Sequence, residues 1–245
     1  MKQSLFTMEH ARQLTEDVYE LVLSGDTSAI TAPGQFVNIE LPGRFLRRPI
    51  SVCTWSEGAL LLLVRVVGGG TRDIVRCVPG GELNVLSGLG NGFDIAKAGD
   101  RPILLGGGIG AAPLFGLAQR MLAAGLTPTV ALGFRTGKDA FYLEEFAALG
   151  CRLLVATEDG SLGTRGFVTD LAKNVPECGY AFACGPTPML RAVHGLPQLT
   201  GGQFSFEARM ACGFGACVGC TVETAGGPKR VCKDGPILYK EEIVW

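Results

Sequence analysis

Apolar and polar residues alternate over roughly the first hundred positions, and then the pattern changes. Gln35-Phe36-Val37-Asn38-Ile39-Glu40-Leu41 alternates well, Asp17 to Leu23 alternates imperfectly, and Leu60 to Val67 is almost continuously apolar. A period of two marks strands with one buried face. The runs are separated by turn signals at Ala32-Pro33-Gly34, Leu41-Pro42-Gly43 and Val78-Pro79-Gly80-Gly81. Short strands with frequent turns predict a small antiparallel β-barrel over residues 1–98.

From Gly99 the texture is that of alternating strands and helices. Pro102 to Leu105, Thr129 to Phe134, Arg152 to Ala156 and Tyr180 to Ala183 read as short buried strands. Ala111 to Ala124, Phe141 to Leu149, Phe167 to Ala172 and a segment starting near Pro188 read as helices. Such alternation predicts a parallel α/β sheet over residues 99–201. Residues 202–245 are rich in glycine and cysteine and form a third, smaller unit. The expected fold class is therefore β-barrel plus α/β, with a C-terminal cysteine-bearing domain.

Composition narrows the function classes. With 47% hydrophobic and 18% charged residues, a disordered chain is excluded. The formal charge of −1 gives no electrostatic footprint for nucleic acid. The longest uninterrupted apolar run, Ala59 to Val64, is far too short to span a membrane. Met1-Lys2-Gln3-Ser4 leads into polar sequence, so no signal peptide is expected. Glycine is the outlier: 36 in 245 is twice the usual share of roughly 7%, which suggests tight turns and close backbone approach to ligands. The nine cysteines are odd in number and unevenly spread, which favours a reducing, cytoplasmic compartment and a metal site over a disulfide framework.

Four cysteines carry the sharpest signal. Cys212, Cys217 and Cys220 follow C-x4-C-x2-C, with Cys232 twelve residues further on. This is the spacing of plant-type [2Fe–2S] ferredoxins. Gly213, Gly215, Ala216 and Gly219 let the loop close round a cluster and aim backbone N–H groups at sulfur. The alternative is a structural four-cysteine zinc site, but such sites use paired C-x2-C hooks and only one is present. The gap to Cys232 is shorter than in a free plant-type ferredoxin, which implies a cut-down cluster domain leaning on its neighbours.

Two further sets of residues suggest nucleotide binding. Arg48-Pro49-Ile50-Ser51 offers a phosphate-pairing arginine and a hydroxyl three residues on. Leu63-Val64-Arg65 runs through a glycine turn into Gly70-Thr71, where a helix from Thr71 to Cys77 is expected, with its N-terminus towards a pyrophosphate. In the second half, Gly107, Gly108 and Gly110 join a strand to a helix, Glu158-Asp159-Gly160 follows a later strand, and Cys184-Gly185-Pro186 follows another. Ligands of parallel sheets sit at such carboxyl ends of strands. Arg135 could meet a ribose 2′-phosphate, so the choice between NAD and NADP stays open. His10 and His194 have no nucleophile or metal partner in the sequence. No Ser/His/Asp arrangement and no carboxylate pair stands out, so no side chain is expected to act as a catalytic acid, base or nucleophile.

The order Arg48-Pro49-Ile50-Ser51, Gly70-Thr71, Gly107-Gly108-Ile109-Gly110, Cys184-Gly185-Pro186 resembles the ferredoxin–NADP reductase superfamily. The tail, Phe206 to Cys220 followed by Arg230-Val231-Cys232-Lys233-Asp234-Gly235-Pro236, resembles the electron-transfer subunits of NAD-dependent (class 1B) dihydroorotate dehydrogenases. That resemblance spans the whole chain. It implies an FAD-binding barrel, an NAD-binding α/β domain and a [2Fe–2S] domain. FAD would be held by Arg48 to Ser51, Leu63 to Arg65, Gly70 and Thr71; NAD would lie near Gly107, Gly108, Gly110, Asp159, Cys184, Gly185 and Pro186; Cys212, Cys217, Cys220 and Cys232 would ligate the cluster. It further implies an FMN-containing catalytic partner in a heterotetramer with two copies of each subunit, working in pyrimidine synthesis. The small subunits of NADH-dependent NADP⁺:ferredoxin oxidoreductase and of sulfide dehydrogenase share these motifs and remain the rival reading. From another class, a binding module with structural zinc remains, and it would be colourless.

Overall fold

A computed structural model describes residues 1–175 and 177–245. The first half closes into a six-stranded barrel. Its elements are β1 (Lys2–Gln13), β2 (Val18–Gly25), β3 (Phe36–Ile39), β4 (Arg48–Ser56), β5 (Ala59–Arg65), the short helix α1 (Gly69–Val75) and β6 (Glu82–Leu89). The order round the barrel is β1-β2-β5-β4-β3-β6, with every pair antiparallel. Alternate side chains fill the interior: Phe6, Met8, Leu21, Leu23, Leu60, Leu62 and Val64 are all fully buried in one cluster. Closure leaves no free edge.

The second half contains β7 (Pro102–Gly107), α2 (Ala111–Ala123), β8 (Thr129–Phe134), α3 (Leu143–Ala148), β9 (Arg152–Thr157), β10 (Thr164–Arg165), α4 (Val168–Lys173), β11 (Tyr180–Cys184), α5 (Thr187–His194) and β12 (Gly201–Ser205). The chain ends with β13 (Thr221–Val222), β14 (Lys229–Arg230) and β15 (Ile237–Tyr239). The seven-stranded sheet runs β10-β9-β8-β7-β11-β12-β15 and is parallel except where β15 joins β12. The strands are buried on both faces by the helices, which is why they read as apolar runs. From β7 the chain winds one way to β9, then returns so that β11 lies on the other side of β7. The strand order therefore reverses at β7 and β11, and a crevice opens beyond their carboxyl ends.

Residues 202–245 are not a free-standing lobe. They begin inside β12 and return to the same sheet as β15, while Asn91, just after the barrel, holds the return. The Asn91 side chain donates to the Ile237 carbonyl at 2.8 Å and accepts from the Ile237 N–H at 3.0 Å. The cysteine-bearing loops also pack on the barrel. Cys220, Val231 and Cys232 share a buried cluster with Phe36 of β3 and Leu89 of β6, as the short gap before Cys232 implies.

Candidate functional site

One cavity of about 630 Å³ lies where the barrel, the parallel sheet and the segment after β12 meet. Its barrel wall carries Pro49, Ile50 and Ser51 of β4, with Leu63 and Arg65 of β5. Its sheet wall carries Gly107, Gly108 and Gly110 after β7, with Cys184, Gly185 and Pro186 after β11. Thr71 of α1 also faces it. The structure thus brings residues of both sets singled out in the sequence to one place, but leaves Arg48, Val64, Gly70 and Asp159 out of the cavity lining.

Strand parity decides which residues of β5 take part. Leu63 and Arg65 point to the cavity side, whereas Val64 points into the barrel core and is fully buried. Arg48 and Gly70 stand against one another just outside the cavity lining. A Cβ on Gly70 would collide with the Arg48 guanidinium, so glycine is what lets the arginine lie across the start of α1. The Thr71 hydroxyl fixes the turn before that helix, accepting from the N–H groups of Val67 at 3.0 Å and Gly68 at 3.3 Å. At β9 the structure turns Asp159 away to solvent. Its carboxylate caps a local turn, accepting from the Ser161 N–H at 3.0 Å and hydroxyl at 2.6 Å, which lowers it below the usual carboxylate range. Glu158, one residue earlier, lines the cavity instead, together with Arg135 after β8 and the ring of Phe167.

The glycine loop leaves no room for side chains on the sheet wall. A Cβ on Gly110 would strike the Cys184 carbonyl and come within 2.9 Å of the Gly185 nitrogen. Gly108 has φ of 53°, a conformation that favours glycine. The floor between the walls is apolar with few charges. Burial pushes the Cys184 thiol up to about 12, so it stands there neutral. The Arg65 guanidinium lies beside Gly108, and its Nε, 3.3 Å from an Asp17 oxygen, is buried without a hydrogen bond.

The third wall draws on Phe206 to Met210, which in the sequence read as part of the tail motif and not as part of a binding site. Ser205, Phe206, Glu207, Ala208 and Met210 line the cavity between the end of β12 and Cys212. Glu207 opens onto the cavity, yet the protein packed round it raises its carboxyl above the usual range, with the Arg65 charge pulling the other way. The signal for this wall was its inclusion in the tail motif that leads into Cys212.

The four cysteines come together as two pairs. Cys212 Sγ accepts from the N–H groups of Ala216 at 3.3 Å and Cys217 at 3.4 Å, and Cys220 Sγ accepts from the Cys232 N–H at 3.4 Å. Burial opposes ionisation of Cys212, but N–H groups of Cys217, Phe214 and Ala216 and the Cys217 thiol bring it down to about 6. Burial and the neighbouring Cys220 push Cys232 up to about 12. Among the described residues, no three His, Cys, Asp or Glu side chains surround a single metal-ion position. Cys220 and Cys232 are buried, while Cys217 is exposed beside Phe214 and Val218. The Asn38 side chain of β3 supports the loop from below, donating to the Cys212 carbonyl at 3.3 Å.

Comparison with known proteins gives this geometry a family. Residues 207–244 match the iron–sulfur cluster binding domain of dihydroorotate dehydrogenase B. The chain is 41% identical to the dihydroorotate dehydrogenase B (NAD(+)) electron transfer subunit of Listeria monocytogenes serotype 4a, over 99% of both chains. The chain belongs to that family. Another of these electron transfer subunits, from a Geobacillus species, is 40% identical over 100% of this chain and 99% of its own. Among solved structures, the NADH-dependent reduced ferredoxin–NADP oxidoreductase superposes with a TM-score of 0.90 at 30% identity, covering 99% of this chain and 90% of that one. Phthalate dioxygenase reductase shares the fold, with a TM-score of 0.66 at 16% identity, covering 91% and 87%. In this family of electron transfer subunits the cluster-binding match begins at Glu207, so the third wall of the cavity and the cysteine loops are one continuous segment.

Proposed function

We propose that the chain carries electrons between an FMN-containing dihydroorotate dehydrogenase subunit and NAD⁺ in pyrimidine synthesis, in the cytoplasm, as part of a heterotetramer with two copies of each subunit. The observation that carries this reading is the shared cavity: barrel, parallel sheet and the segment entering Cys212 all line it. Among the described residues, no helix is long and apolar enough to cross a membrane. We divide the chain as 1–98 for FAD, 99–201 for NAD and 202–245 for the cluster.

The residues present fit these groups. Arg48 of β4, whose guanidinium lies against Gly70 of α1, would pair with a pyrophosphate, and Gly70 makes the space it needs. Pro49, Ile50, Ser51, Leu63 and Arg65 offer a mostly apolar wall to a flavin ring, with one hydroxyl at its edge. Gly107, Gly108 and Gly110 let a nicotinamide nucleotide approach the backbone, and Cys184-Gly185-Pro186 closes the facing side. Two pairs of cysteines suit a cluster of two irons, with Cys212 and Cys217 on one side and Cys220 and Cys232 on the other. When bound, the flavin supplies the exchange between a two-electron hydride and single electrons. The chain would then have to bind both nucleotides in the one crevice and keep water out of it. It needs no catalytic acid or base. The exposed apolar rim of Phe214 and Val218 round Cys217 is the surface we assign to the catalytic partner.

Co-expression with an FMN-type dihydroorotate dehydrogenase subunit tests this reading. The expected result is dihydroorotate-dependent NAD⁺ reduction by the complex, and only NADH oxidation with artificial acceptors by the chain alone. A flavin- and cluster-loaded chain that never couples to that partner, but does couple to a ferredoxin or sulfide oxidoreductase subunit, would move the partner to the rival family.

A further inference from the structure

Outside the cavity lining, the barrel and the α/β domain are joined by a chain of polar side chains. Glu20 of β2 is a buried carboxylate, 9% exposed. Arg12 of β1 grips it with two hydrogen bonds of 3.1 Å and reaches a third of 3.1 Å to Glu145 of α3. From the other domain, the Tyr142 hydroxyl donates to Glu20 at 2.6 Å. Tyr142 sits at the start of α3 with φ of 64°, unusual for a bulky residue, and its ring packs edge-on against Phe115 of α2 at 5.1 Å. Cys53 of β4 is the remaining titratable group here, fully buried, and burial raises its thiol.

The position of this chain matters because β4 and α2 each run from it to the crevice. β4 carries Ser51 at the cavity and Cys53 and Thr54 at the interface. α2 begins at the glycine loop and, further along, lays Gly116 against the Cys53 carbonyl, while the Thr54 hydroxyl bonds Gln119 at 2.6 Å. The wall assigned to flavin and the wall assigned to nicotinamide are therefore carried by two elements that pack against each other at Cys53 and Gly116, and α2 meets Tyr142 there through Phe115. An apolar interface would hold the domains together with some freedom to slide. A buried carboxylate with fixed donors on both sides has a much narrower set of good geometries, although it is costlier to bury.

We propose that Arg12, Glu20 and Tyr142 are positioning residues: they set the spacing of the two crevice walls, and hence the distance between the nicotinamide and flavin rings, without touching either. Hydride transfer falls steeply with small errors in such distances. This inference rests on the proposed FAD and NAD sites.

The test compares Tyr142→Phe with the unaltered chain, both purified with flavin and cluster. The substitution keeps the ring against Phe115 and deletes one hydrogen bond. Flavin content, cluster absorbance and NADH KM should be unchanged. NADH-driven bleaching of the flavin should slow about tenfold, and the long-wavelength charge-transfer absorbance between NAD and flavin should fall by more than half. Glu145→Gln, which loosens the outer link at the surface, should move both readouts the same way by a smaller factor. It also serves if Tyr142→Phe fails to fold. A lower Tm with the rate and charge-transfer band intact, in whichever variant folds, would show a purely structural role and overturn the inference. If the unaltered chain binds no flavin, the assignment of the crevice has failed instead.

Discussion

Around the crevice, functional groups hang on long strands and on α2, a helix of thirteen residues. Around the cysteines, regular structure shrinks to two strands of two residues each, β13 and β14. The crevice is made by backbone that comes close: glycines at the carboxyl ends of strands, and a neutral Cys184 on the floor. The cluster loops are made by backbone that wraps: Gly213 and Gly215 adopt φ of 77° and 93°, and even Val218 is forced to 53°. The difference teaches where each region gets its order. The crevice is fixed by two cores and a polar clamp before any ligand arrives. The cysteine loops rest on a small shared cluster with the barrel and on the Asn38 side chain, and a bound cluster would add to their order.

That contrast can be broken at several points. The largest effect should come from Cys220→Ser, which removes a buried thiol that we assign to the cluster. Cluster absorbance should vanish, while flavin content stays above half of normal, as optical spectra will show; loss of both together would mean the regions are not separately ordered. Next is Gly110→Ala. A methyl group driven against the Cys184 carbonyl should slow flavin reduction by NADH about a hundredfold in stopped-flow measurements, with the cluster spectrum untouched. Gly70→Ala should displace Arg48 and weaken FAD binding about tenfold, measured by titration of the flavin-stripped chain. The smallest effect concerns Glu207. Its carboxyl is raised in the fold, so folding is penalised wherever it is ionised: the penalty is absent below the ordinary carboxylate range and complete above the raised value. Glu207→Gln should therefore raise Tm by a few degrees at pH 8 and leave it unchanged near pH 4.

Much of this was legible in the sequence because the physics was local. Thr129–Phe134 is a strand in both readings, and the helix expected from Ala111 is α2. The barrel and the parallel sheet follow from periodicity, and the cysteine spacing singles out the loops. What escaped was set by the fold as a whole. β1 looks polar because only Phe6 and Met8 of its twelve residues are buried, the rest facing water or a neighbour. The small expected helix at Thr71 starts two residues earlier, at Gly69. The division at residue 202 hides that β12 and β15 lie in one sheet, since no local signal says which distant strand an edge will join. Parity of a single residue separates Leu63 from Val64, a distinction that register alone decides, while the turn after β9 separates Glu158 from Asp159. Glu207 stood inside the tail motif, but its role was not legible because its chemistry comes from the cavity around it.

The central claim is that the two regions work in series, with the crevice between NAD and the cluster. The direct test is Cys220→Ser in the complex with the catalytic subunit, assayed two ways. NADH oxidation by an artificial acceptor drawing on the flavin should persist at half or more of its normal rate. Dihydroorotate-driven NAD⁺ reduction should fall more than a hundredfold. Coupled turnover that survives without the cluster would contradict the series arrangement.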